Sequence, residues 1–385
     1  IIPRFKWLST ILSRWISDRI SPMIKQHIWH LTESSDWFIK SLEKAVIPPN
    51  CIFMTMDIES LYTNINTELG LQCLQTFIYD PGILYDESLA NAIMVGARII
   101  LTHNLFRYGD RFFLQKKGTA MGTPMAPAYA NIVVFVLARD IVNTFLDSTL
   151  LKIYYRYLDD LFLVCQDNKE EIDKFINQLR SLSTKGINYT YEISNEKAVF
   201  LDIEIYKSLR YIVNGKLDFK IYQKPLNLFL YIPFRSYHPA HVKKSLILGE
   251  LKRYIKYSST LTNYVLVKKS FYRRLRARGY PSDYLAPIFN SIYYAQRNAL
   301  LRPSIKQKRK LERFIIEHHP SLTKRELYRL LNDGWPLSSS EPSISFKRTR
   351  TFKDTLCKNR IRSDRVHDEP ITANKRRKIS PASND

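Results

Sequence analysis

The sequence is poor in cysteine, has no run of about 18 uninterrupted apolar residues, and carries far fewer acidic than basic residues. Its four cysteines stand far apart without a CxxC pair, which argues against a cysteine-based zinc site and for a reducing compartment, the cytosol or the nucleus. Without a long apolar run, no membrane-spanning segment is expected. Because the chain starts with Ile1 and not with Met, we expect further coding sequence upstream.

Positive charge is concentrated in the last third of the chain. Of 59 Lys and Arg residues and 36 Asp and Glu residues, 33 and 12 fall in residues 241–385, which therefore carry almost all of the net charge of +23. Aromatic residues are interleaved with these cations, as in "SFYRRLRARGY". Because cations neutralise phosphates while rings stack on bases, this composition favours a nucleic acid as partner. A basic surface that serves only solubility is the simpler alternative.

The hydrophobic pattern predicts a mixed α+β chain with enough apolar residues, 45%, for a large core. Short apolar runs bounded by turn residues predict strands, and spacings of three and four residues predict helices. The predicted helices are two within residues 10–46 with Pro22 near the start of the second, then 67–79, 86–103, a long one after Pro124, and 168–183. The predicted strands are 51–58, a hairpin around Gly109 and Asp110, the two halves of 151–165, 187–193, 199–206 and 218–224.

Beyond Pro239 the pattern is helical to about residue 331, with a break at Gly279-Tyr280-Pro281. Within it, "HVKKSLILGELKRYIKYS" at 241–258 also fits one half of a helix-turn-helix motif. From Ser338 on, Ser, Pro, Lys and Arg dominate, which predicts a mostly disordered tail.

Two adjacent aspartates interrupt an apolar run in "YYRYLDDLFLV", residues 154–164. Burying a carboxylate costs several kcal/mol, so Asp159 and Asp160 are expected at a turn between two strands. Asp57 closes another predicted strand, "CIFMTMDI". Three carboxylates at the ends of neighbouring strands would form a hard-oxygen site for Mg²⁺, and two such ions could activate a primer 3′-hydroxyl and stabilise a leaving pyrophosphate. For the dipeptide alone, a solvated turn is the simpler explanation.

Three segments, "MDIESLYTNI", "QKKGTAMGTPMAPAYANI" and "RYLDDLF", resemble the palm motifs A, B and C of reverse transcriptases in order and spacing. The residues of these motifs are most similar to those of Penelope-like retroelements, which share ancestry with telomerase. Three further segments resemble that family too: "VFLDIEIY", "IYQKPLNLFLY" and "SYHPAHVKKSLILGELKR". The resemblance implies an α+β right-hand polymerase with an antiparallel palm sheet and helices, followed by a helical thumb-like region. The implied domains are partial fingers at 1–50, a palm at 51–235, a basic thumb-like domain at 236–335 and a tail at 336–385.

The resemblance also implies roles for individual residues. Asp57, Asp159 and Asp160 would be catalytic and would bind two Mg²⁺ ions, or Mn²⁺, for DNA synthesis from dNTPs on an RNA template and a DNA primer. Tyr62 would be the steric gate against a ribonucleotide 2′-hydroxyl, with an ordinary core tyrosine as the alternative. Residues of the second motif would contact the template and the incoming nucleotide: Gln115, Gly122, Thr123 and Pro124. A glycine loop that merely turns the chain into a helix is the alternative there, and without a Lys-Ser/Thr ending the loop is not a P-loop.

Further downstream, "FLD" at 200–202 resembles the primer-grip region of the family. Asp202 is expected to be structural or to position the primer, and Lys197 is a loosely aligned candidate for a general acid. His238 and His241 lack a third metal ligand nearby, which favours a helix cap or a phosphate contact over a metal site. Five basic residues are expected to contact nucleic-acid phosphates: Lys243, Lys244, Arg253, Arg273 and Arg274.

The chain departs from the family in two respects. It begins inside or after the fingers region that holds the triphosphate, with Arg4 and Lys6 as possible remnants, so we expect an amino-terminally truncated fragment. The GIY-YIG endonuclease of many Penelope-like proteins is absent from the sequence, so DNA cleavage is not predicted. An inactive nucleic-acid-binding remnant is the main alternative function; an RNA-dependent RNA polymerase is disfavoured by Tyr62 and by Leu158, where viral enzymes commonly have glycine. "NKRRKIS" at 374–380 predicts a nuclear protein, with the cytoplasm as a second location.

Overall fold

The computed structural model describes residues 9–83, 86–108, 111–302, 311–317, 323, 325–329 and 341–347. Contacts divide the chain into two compact units, Ile1–Pro303 and Ser304–Asp385. The helices of the first unit are α1 (Ser9–His27), α2 (Ser35–Lys44), α3 (Leu61–Asn64), α4 (Thr67–Ile78), α5 (Glu87–Thr102), α6 (Ala126–Asp147), α7 (Lys169–Ser181), α8 (Leu209–Asn214), α9 (Ala240–Lys256), α10 (Leu261–Ala277), α11 (Ser282–Asn290) and α12 (Arg297–Leu301). Its strands are β1 (Cys51–Ile58), β2 (Leu105–Tyr108), β3 (Arg111–Leu114), β4 (Leu151–Tyr157), β5 (Asp160–Gln166), β6 (Tyr189–Ser194), β7 (Lys197–Phe200), β8 (Ile203–Tyr206) and β9 (Asp218–Ile221).

A four-stranded antiparallel sheet lies at the centre of the first unit, in the order β4-β5-β1-β6. Its two middle strands are buried on both faces, which explains their nearly unbroken apolar sequences. In β1, Ile52, Met54 and Met56 point into one core, whereas Cys51 and Phe53 point into another. Polar side chains on these strands therefore fit only where the strands end.

The first core lies between the central sheet and α1, α4, α5, α6 and α7. Pro127 stands in the first turn of α6, where a missing N–H costs nothing. The helix then buries Tyr129, Ile132 and Val133 among others. Among the described residues, α6 alone is long and apolar enough to cross a membrane, and 44% of that stretch is buried within the protein. Its buried face belongs to the core on this side of the sheet.

The second core lies on the opposite face of the sheet, against α2, the three-stranded sheet β7-β8-β9, and the helices α9 to α12. Phe38 of α2 joins the two sheets, because its ring lies 5.5 Å from Phe162 and 4.9 Å from Phe200. The helices α9 and α10 follow each other closely, and Thr260 caps α10 by accepting the N–H of Asn263. This face carries the carboxylates described below.

Two predicted boundaries in the first unit are wrong. Pro22 lies inside α1 and does not begin a second helix. A proline here removes one backbone hydrogen bond, but the buried stripe that includes Ile20 and Ile24 holds both halves of the helix on the core. Residues 199–206 do not form one strand but the hairpin β7–β8, which turns at Leu201 with φ 55°. An alternating pattern without glycine or proline conceals this turn.

The second unit contains β10 (Leu311–Glu317) and β11 (Glu341–Lys347), which pair in parallel, and a helical turn at 325–329. The helical prediction for 311–317 is wrong, because the β-branched and aromatic residues Phe314, Ile315 and Ile316 favour a strand. The prediction of a mostly disordered tail is wrong for 341–347. The other tail residues, with the basic run at 374–380, lie outside the described residues.

Candidate active site

The hairpin formed by β4 and β5 places the adjacent aspartates at its tip. Tyr157 and Asp160 form the last pair of the ladder, so the turn has only two central residues, Leu158 and Asp159. Leu158 has φ 56°, a left-handed conformation that a non-glycine residue adopts only when its surroundings hold it there. The predicted strand, turn and strand over 151–165 are confirmed.

The end of β1 brings Asp57 beside this tip. Asp57 is directly opposite Asp160 in the ladder, and the N–H of Ile58 donates to the carbonyl of Asp159 at 3.1 Å. This bond makes Asp57 and Asp160 a non-hydrogen-bonded pair, in which the Cα atoms are about 4.5 Å apart and the side chains lie closest. Carboxylates from distant parts of the chain are therefore neighbours on one face of the sheet.

The three carboxylates repel one another. Asp57 and Asp160 keep an exposed surface, yet the surrounding protein removes part of their hydration, and this raises the pKa of both groups. The charge of Asp159 raises both pKa values further, while Lys224 partly offsets the increase at Asp160. Negative charge that Lys224 compensates only in part is the electrostatic condition that a divalent ion relieves.

The donor set fits Mg²⁺ in chemistry and in backbone placement, since carboxylate oxygens are the ligands that this ion prefers. Among the described residues, however, no three acidic, histidine or cysteine side chains stand close enough to form a ready-made cation site. The ladder makes Asp57 and Asp160 neighbours in the backbone, which is the part of the site that the structure provides.

We expect Asp160→Asn to raise the melting temperature of the metal-free protein at neutral pH by about 1–2 °C. A carboxyl whose pKa is raised by folding contributes stability that is fully present below its unfolded pKa and is lost as the pH rises through its folded pKa. The variant should therefore lose its advantage in acid, where the wild-type carboxyl is protonated. Thermal scans in EDTA between about pH 3 and pH 8 measure this. A difference that does not change with pH would contradict the repulsion.

Tyr62 lies next to the carboxylates. It belongs to α3, a single helical turn that follows β1 after Ser60, whose φ is 49°. The ring is half-buried, and its pKa is raised first by burial and then by the neighbouring Asp159 and Tyr157. The phenol is thus within electrostatic range of the hairpin tip, and its role as a gate residue stays a prediction.

The glycine loop before α6 packs on the backbone of α3. The N–H of Thr119 donates to the carbonyl of Tyr62 at 2.7 Å, and the N–H of Gly118 donates to the carbonyl of Ile65 at 3.1 Å. Gly118 has φ 78°, and a Cβ atom there would lie 2.5 Å from the Tyr62 oxygen and 2.7 Å from Thr63 Cα. Only glycine fits this approach. The loop and the candidate gate residue are therefore held as one unit.

The predicted nucleotide contacts in this loop differ in their surroundings. The amide of Gln115 is engaged within the protein, because Asn104 Nδ2 donates to its Oε1 at 2.7 Å and its Nε2 donates to the carbonyl of Lys117 at 2.8 Å. Gln115 therefore shapes the loop, and nucleotide contact stays a prediction for all four residues. The other three are exposed Gly122, buried Thr123 and half-buried Pro124.

Arg156 is a candidate that sequence reasoning missed. Its side chain is fully buried beneath the hairpin, and burial lowers its pKa. Nη1 donates to Asn131 Oδ1 at 2.8 Å and to the carbonyl of Leu158 at 3.0 Å, while Nη2 donates to the carbonyl of Asn131 at 3.1 Å. Arg156 therefore ties the strained turn to α6. An arginine beside an aspartate pair resembles an exposed ion-pairing residue, and no sequence signal identifies it as buried.

Arg156→Met should lower the free energy of unfolding by about 3 kcal/mol, because Asn131 and the Leu158 carbonyl lose their donors in a buried place. Urea denaturation measures the change. Arg14→Met, which removes an exposed arginine from α1, is the control and should change stability by less than about 0.5 kcal/mol. Equal effects of the two substitutions would show that Arg156 does not hold the turn.

Two of the predicted phosphate-binding residues are engaged within the protein. Lys243 donates to the carbonyls of Phe234 at 2.6 Å and Ser236 at 2.8 Å. Arg253 forms an ion pair with Asp202 at 2.8 Å and a longer one with Glu250 at 3.5 Å. Both cations therefore have structural roles in the helical region. The ion pair with Arg253 gives Asp202 a structural role, which is one of the two roles expected for it.

The other three predicted cations are on α9 and α10. Arg274 places its guanidinium 3.4 Å from the ring centre of Phe229. Lys244 and Arg273 are exposed. Exposure makes these two residues better candidates for phosphate contacts than the engaged cations.

Lys224, which sequence reasoning did not single out, is the cation whose charge acts on Asp160. It lines a cavity of about 340 Å³ together with Asp202 and Arg253. Lys197 is exposed at the start of β7 and lines a different cavity. His238 shares a hydrogen bond of 3.0 Å between its Nδ1 and Ser236 Oγ, and no metal-binding group of three side chains is found in the described part of the chain.

A family model described as reverse transcriptase (RNA-dependent DNA polymerase) matches residues 4–230, more than half of the chain. A second model, described as an animal helix-turn-helix domain, matches residues 230–290, which include α9, α10 and α11. This second match agrees with the helix-turn-helix interpretation of residues 241–258. Among curated proteins, none matches the chain.

The chain is similar to telomerase from Candida albicans, solved with a TWJ fragment of telomeric RNA, at 14% identity over 76% of this chain and 53% of that chain, with a TM-score of 0.50. Apo telomerase from Candida tropicalis has 12% identity over 77% and 51%, with a TM-score of 0.45. BmCPV RNA-dependent RNA polymerase at the elongation state has 12% identity over 63% and 22%, with a TM-score of 0.48. The chain spans about half the length of the telomerase structures. The predicted α+β polymerase fold is confirmed.

Proposed function

The chain belongs to the reverse transcriptase family, and from this premise we propose that it extends a DNA primer on an RNA template by adding nucleotides from dNTPs. The observation that carries the proposal is the placement of Asp57 opposite Asp160, with Asp159 at the tip of the same hairpin. A family of nucleic-acid polymerases and a carboxylate cluster where two adjacent central strands end point to the same chemistry, nucleotidyl transfer.

In this proposal, Asp57 and Asp159 hold two Mg²⁺ ions, or Mn²⁺, and Asp160 stands beside them. When bound, the ions would activate the primer 3′-hydroxyl and stabilise the charge on the leaving pyrophosphate. The protein contributes the position of the carboxylates: the β1–β5 ladder fixes their backbone, and Arg156 holds the turn. Such positioning lowers the barrier because the reacting groups need no further ordering.

Tyr62 is proposed to exclude ribonucleotides. Its ring lies beside the hairpin tip on α3, and the glycine loop fixes the backbone beneath it. Tyr62→Ala should increase the incorporation of rNTPs relative to dNTPs by about 10- to 100-fold, because the smaller side chain leaves space for a 2′-hydroxyl. Single-nucleotide addition with matched dNTP and rNTP measures the ratio. Tyr79→Ala, which changes an exposed tyrosine after α4, is the control. An unchanged ratio in Tyr62→Ala would remove the gate assignment.

A nucleic-acid-binding protein without turnover is the second candidate function. It is favoured by the finding that, within the described residues, no three possible metal ligands have converged on a ready-made site. Such a remnant would keep the fold and the basic helical region, and would bind a template–primer duplex without extending it.

Primer extension separates the two candidates. A labelled DNA primer annealed to an RNA template is incubated with the full chain, Mg²⁺ and either dNTPs or rNTPs. The proposal expects extension with dNTPs, little with rNTPs, and none in EDTA. Duplex binding without extension at any concentration of Mg²⁺ or Mn²⁺ would favour the remnant.

We also propose an origin in a Penelope-like retroelement and a nuclear location. The amino-acid sequence of the three motifs supports the first proposal, and the basic run at 374–380 supports the second. Fusing residues 371–385 to a fluorescent protein tests the second one. Retention in the cytoplasm would contradict it.

A further inference from the structure

Helix α8 presents its aliphatic residues to solvent. Leu209, Ile212 and Val213 are 80%, 77% and 82% exposed, and α8 buries none of its residues. Because an α-helix has 3.6 residues per turn, these three side chains lie within one arc of about 100° on the helix surface. We call them the α8 patch. Val46, which is 65% exposed, adjoins the helix at Gly215, where an added Cβ atom would lie 2.9 Å from its Cγ1.

Polar contacts hold α8 on the protein. Ser208 Oγ, just before the helix, donates to Asp218 Oδ2 at 2.6 Å, and Arg210 forms an ion pair with the same carboxylate at 3.3 Å. Tyr211 Oη donates to the carbonyl of Pro48 at 2.7 Å. The α8 patch takes no part in these contacts, so its side chains are available to a partner. Several aliphatic side chains on one exposed face, with polar residues around them, are typical of an interaction surface.

The α8 patch lies far from the carboxylates. Pro48, which α8 contacts, precedes β1, whereas Asp57 stands near the other end of that strand. A strand rises about 3.3 Å per residue, so the two places are separated by about 20 Å or more. Aliphatic side chains also offer neither cations for phosphates nor rings for bases. The patch therefore does not belong to the carboxylate site, and its chemistry favours a protein over a nucleic acid as partner.

Lysines stand beside the α8 patch. Lys216, which follows the helix, donates from Nζ to the carbonyls of Glu43 and Lys44 at 2.9 Å each, and Lys44 is exposed. The carboxylate of Glu43 is paired with Arg297 and does not neutralise these lysines. Positive charge beside the patch attracts an acidic partner. It repels a second copy of this chain, which would bring the same lysines to the same place.

The size of the surface points to a short segment as the partner. Three aliphatic side chains with Val46 beside them expose an area on the order of a few hundred Å². Each partner in a stable protein complex contributes roughly 800 Å², so the patch is too small for a permanent dimer. Membrane binding also grows with the apolar area that is buried, and this area is small. An amphipathic helix of a few turns has an apolar face of matching size.

We propose that the α8 patch binds an acidic amphipathic helical segment of a partner protein. The apolar face of that segment covers Leu209, Ile212 and Val213. Its carboxylates pair with Lys44 and Lys216 at the side of the patch. Because the carboxylate site lies at the other end of β1, docking leaves that site open, and the partner determines where the protein acts. The proposal does not depend on polymerase activity.

Selection of peptides on the full chain tests the proposal without a known partner. Random peptides of about four helical turns are displayed on phage, selected on the wild type and counter-selected on the α8 variant. The α8 variant is Leu209→Ala with Ile212→Ala and Val213→Ala. We expect the surviving peptides to share a net negative charge and apolar residues at helical spacing. Survivors without negative charge, or no survivors at all, would overturn the proposal.

Fluorescence anisotropy with a labelled peptide of the selected sequence measures the affinities. The α8 variant should bind at least about tenfold more weakly than the wild type. The control is Leu226→Ala with Leu228→Ala and Leu230→Ala, whose side chains are similarly exposed, at 94%, 78% and 69%, and it should bind like the wild type. Lys44→Glu should weaken binding about threefold, and less so at high salt. Lys169→Glu, which changes an exposed lysine on α7, should have no effect.

Other occupants of the α8 patch would give different results. Analytical ultracentrifugation, and flotation with vesicles of phosphatidylcholine and phosphatidylserine, should not distinguish the wild type from the α8 variant, whose fold is checked by circular dichroism. Self-association or vesicle binding that the α8 variant abolishes would overturn the proposal, as would equal peptide affinity in the two proteins. Failure of the wild type to extend a primer would contradict only the proposed polymerase function, because none of these experiments measures extension.

Discussion

Replacing Asp159 by asparagine is expected to reduce primer extension by about 10³-fold or more, with the fold intact. Asp159 stands at the tip of the hairpin and its charge acts on both Asp57 and Asp160, so it is at the centre of the anionic cluster. An amide of the same size keeps the turn but cannot supply an anionic oxygen to a cation. Single-turnover extension of a labelled primer measures the loss, and the circular dichroism spectrum reports the fold.

Asp173→Asn, which neutralises an exposed aspartate on α7, is the matched control and should leave extension unchanged. Asp57→Asn should match Asp159→Asn in its effect, because the two residues act on one site. Robust extension by Asp159→Asn would remove the metal-binding role of the hairpin and leave the fold assignment standing.

The second large effect is expected at Gly118. An alanine there would keep φ near 78°, which costs about 1–2 kcal/mol, and its Cβ would press against the backbone of Tyr62 and Thr63. The backbone cannot give way without moving α3, so we expect about 3 kcal/mol or more of destabilisation in total. Extension should fall at least about tenfold, because α3 carries the gate residue beside the carboxylates.

Two other glycines separate the causes of this loss. Gly279 has nearly the same φ, 84°, but open space around its Cβ position, so Gly279→Ala reports backbone strain alone. Gly249 lies inside α9 with nothing within 4 Å, and Gly249→Ala should stabilise the protein by about 0.5–1 kcal/mol. Urea denaturation ranks the three variants. If Gly118→Ala were no worse than Gly279→Ala, the close packing of the glycine loop on α3 would be disproved.

Local patterns were sufficient to predict most of the central sheet. The buried run of β1 and the hairpin β4–β5 follow from apolar strands that end in aspartates, because a charge is tolerated only where a strand leaves the core. The same reasoning predicted that Asp57 and the pair at 159–160 would meet. The ladder confirms this neighbourhood directly, through the Asp57–Asp160 pair.

Other features depend on contacts that no local pattern records. The pairing of β1 with β6 joins segments far apart in the chain, and the buried environment of Arg156 arises only when α6 packs under the hairpin. The proximity of Lys224 to Asp160 likewise requires the second sheet to pack against the first. Lys243 was expected to contact nucleic-acid phosphates, but it donates to two loop carbonyls and so has a structural role that its sequence context does not indicate.

Binding of one divalent cation by both Asp57 and Asp159 is tested most directly by Mn²⁺ anomalous scattering from crystals of the full chain with a template–primer duplex and a dNTP. We predict a peak within about 2.0–2.3 Å of carboxylate oxygens from both Asp57 and Asp159. A peak bound by only one of these residues, or no peak there at a Mn²⁺ concentration that supports extension, would contradict the account.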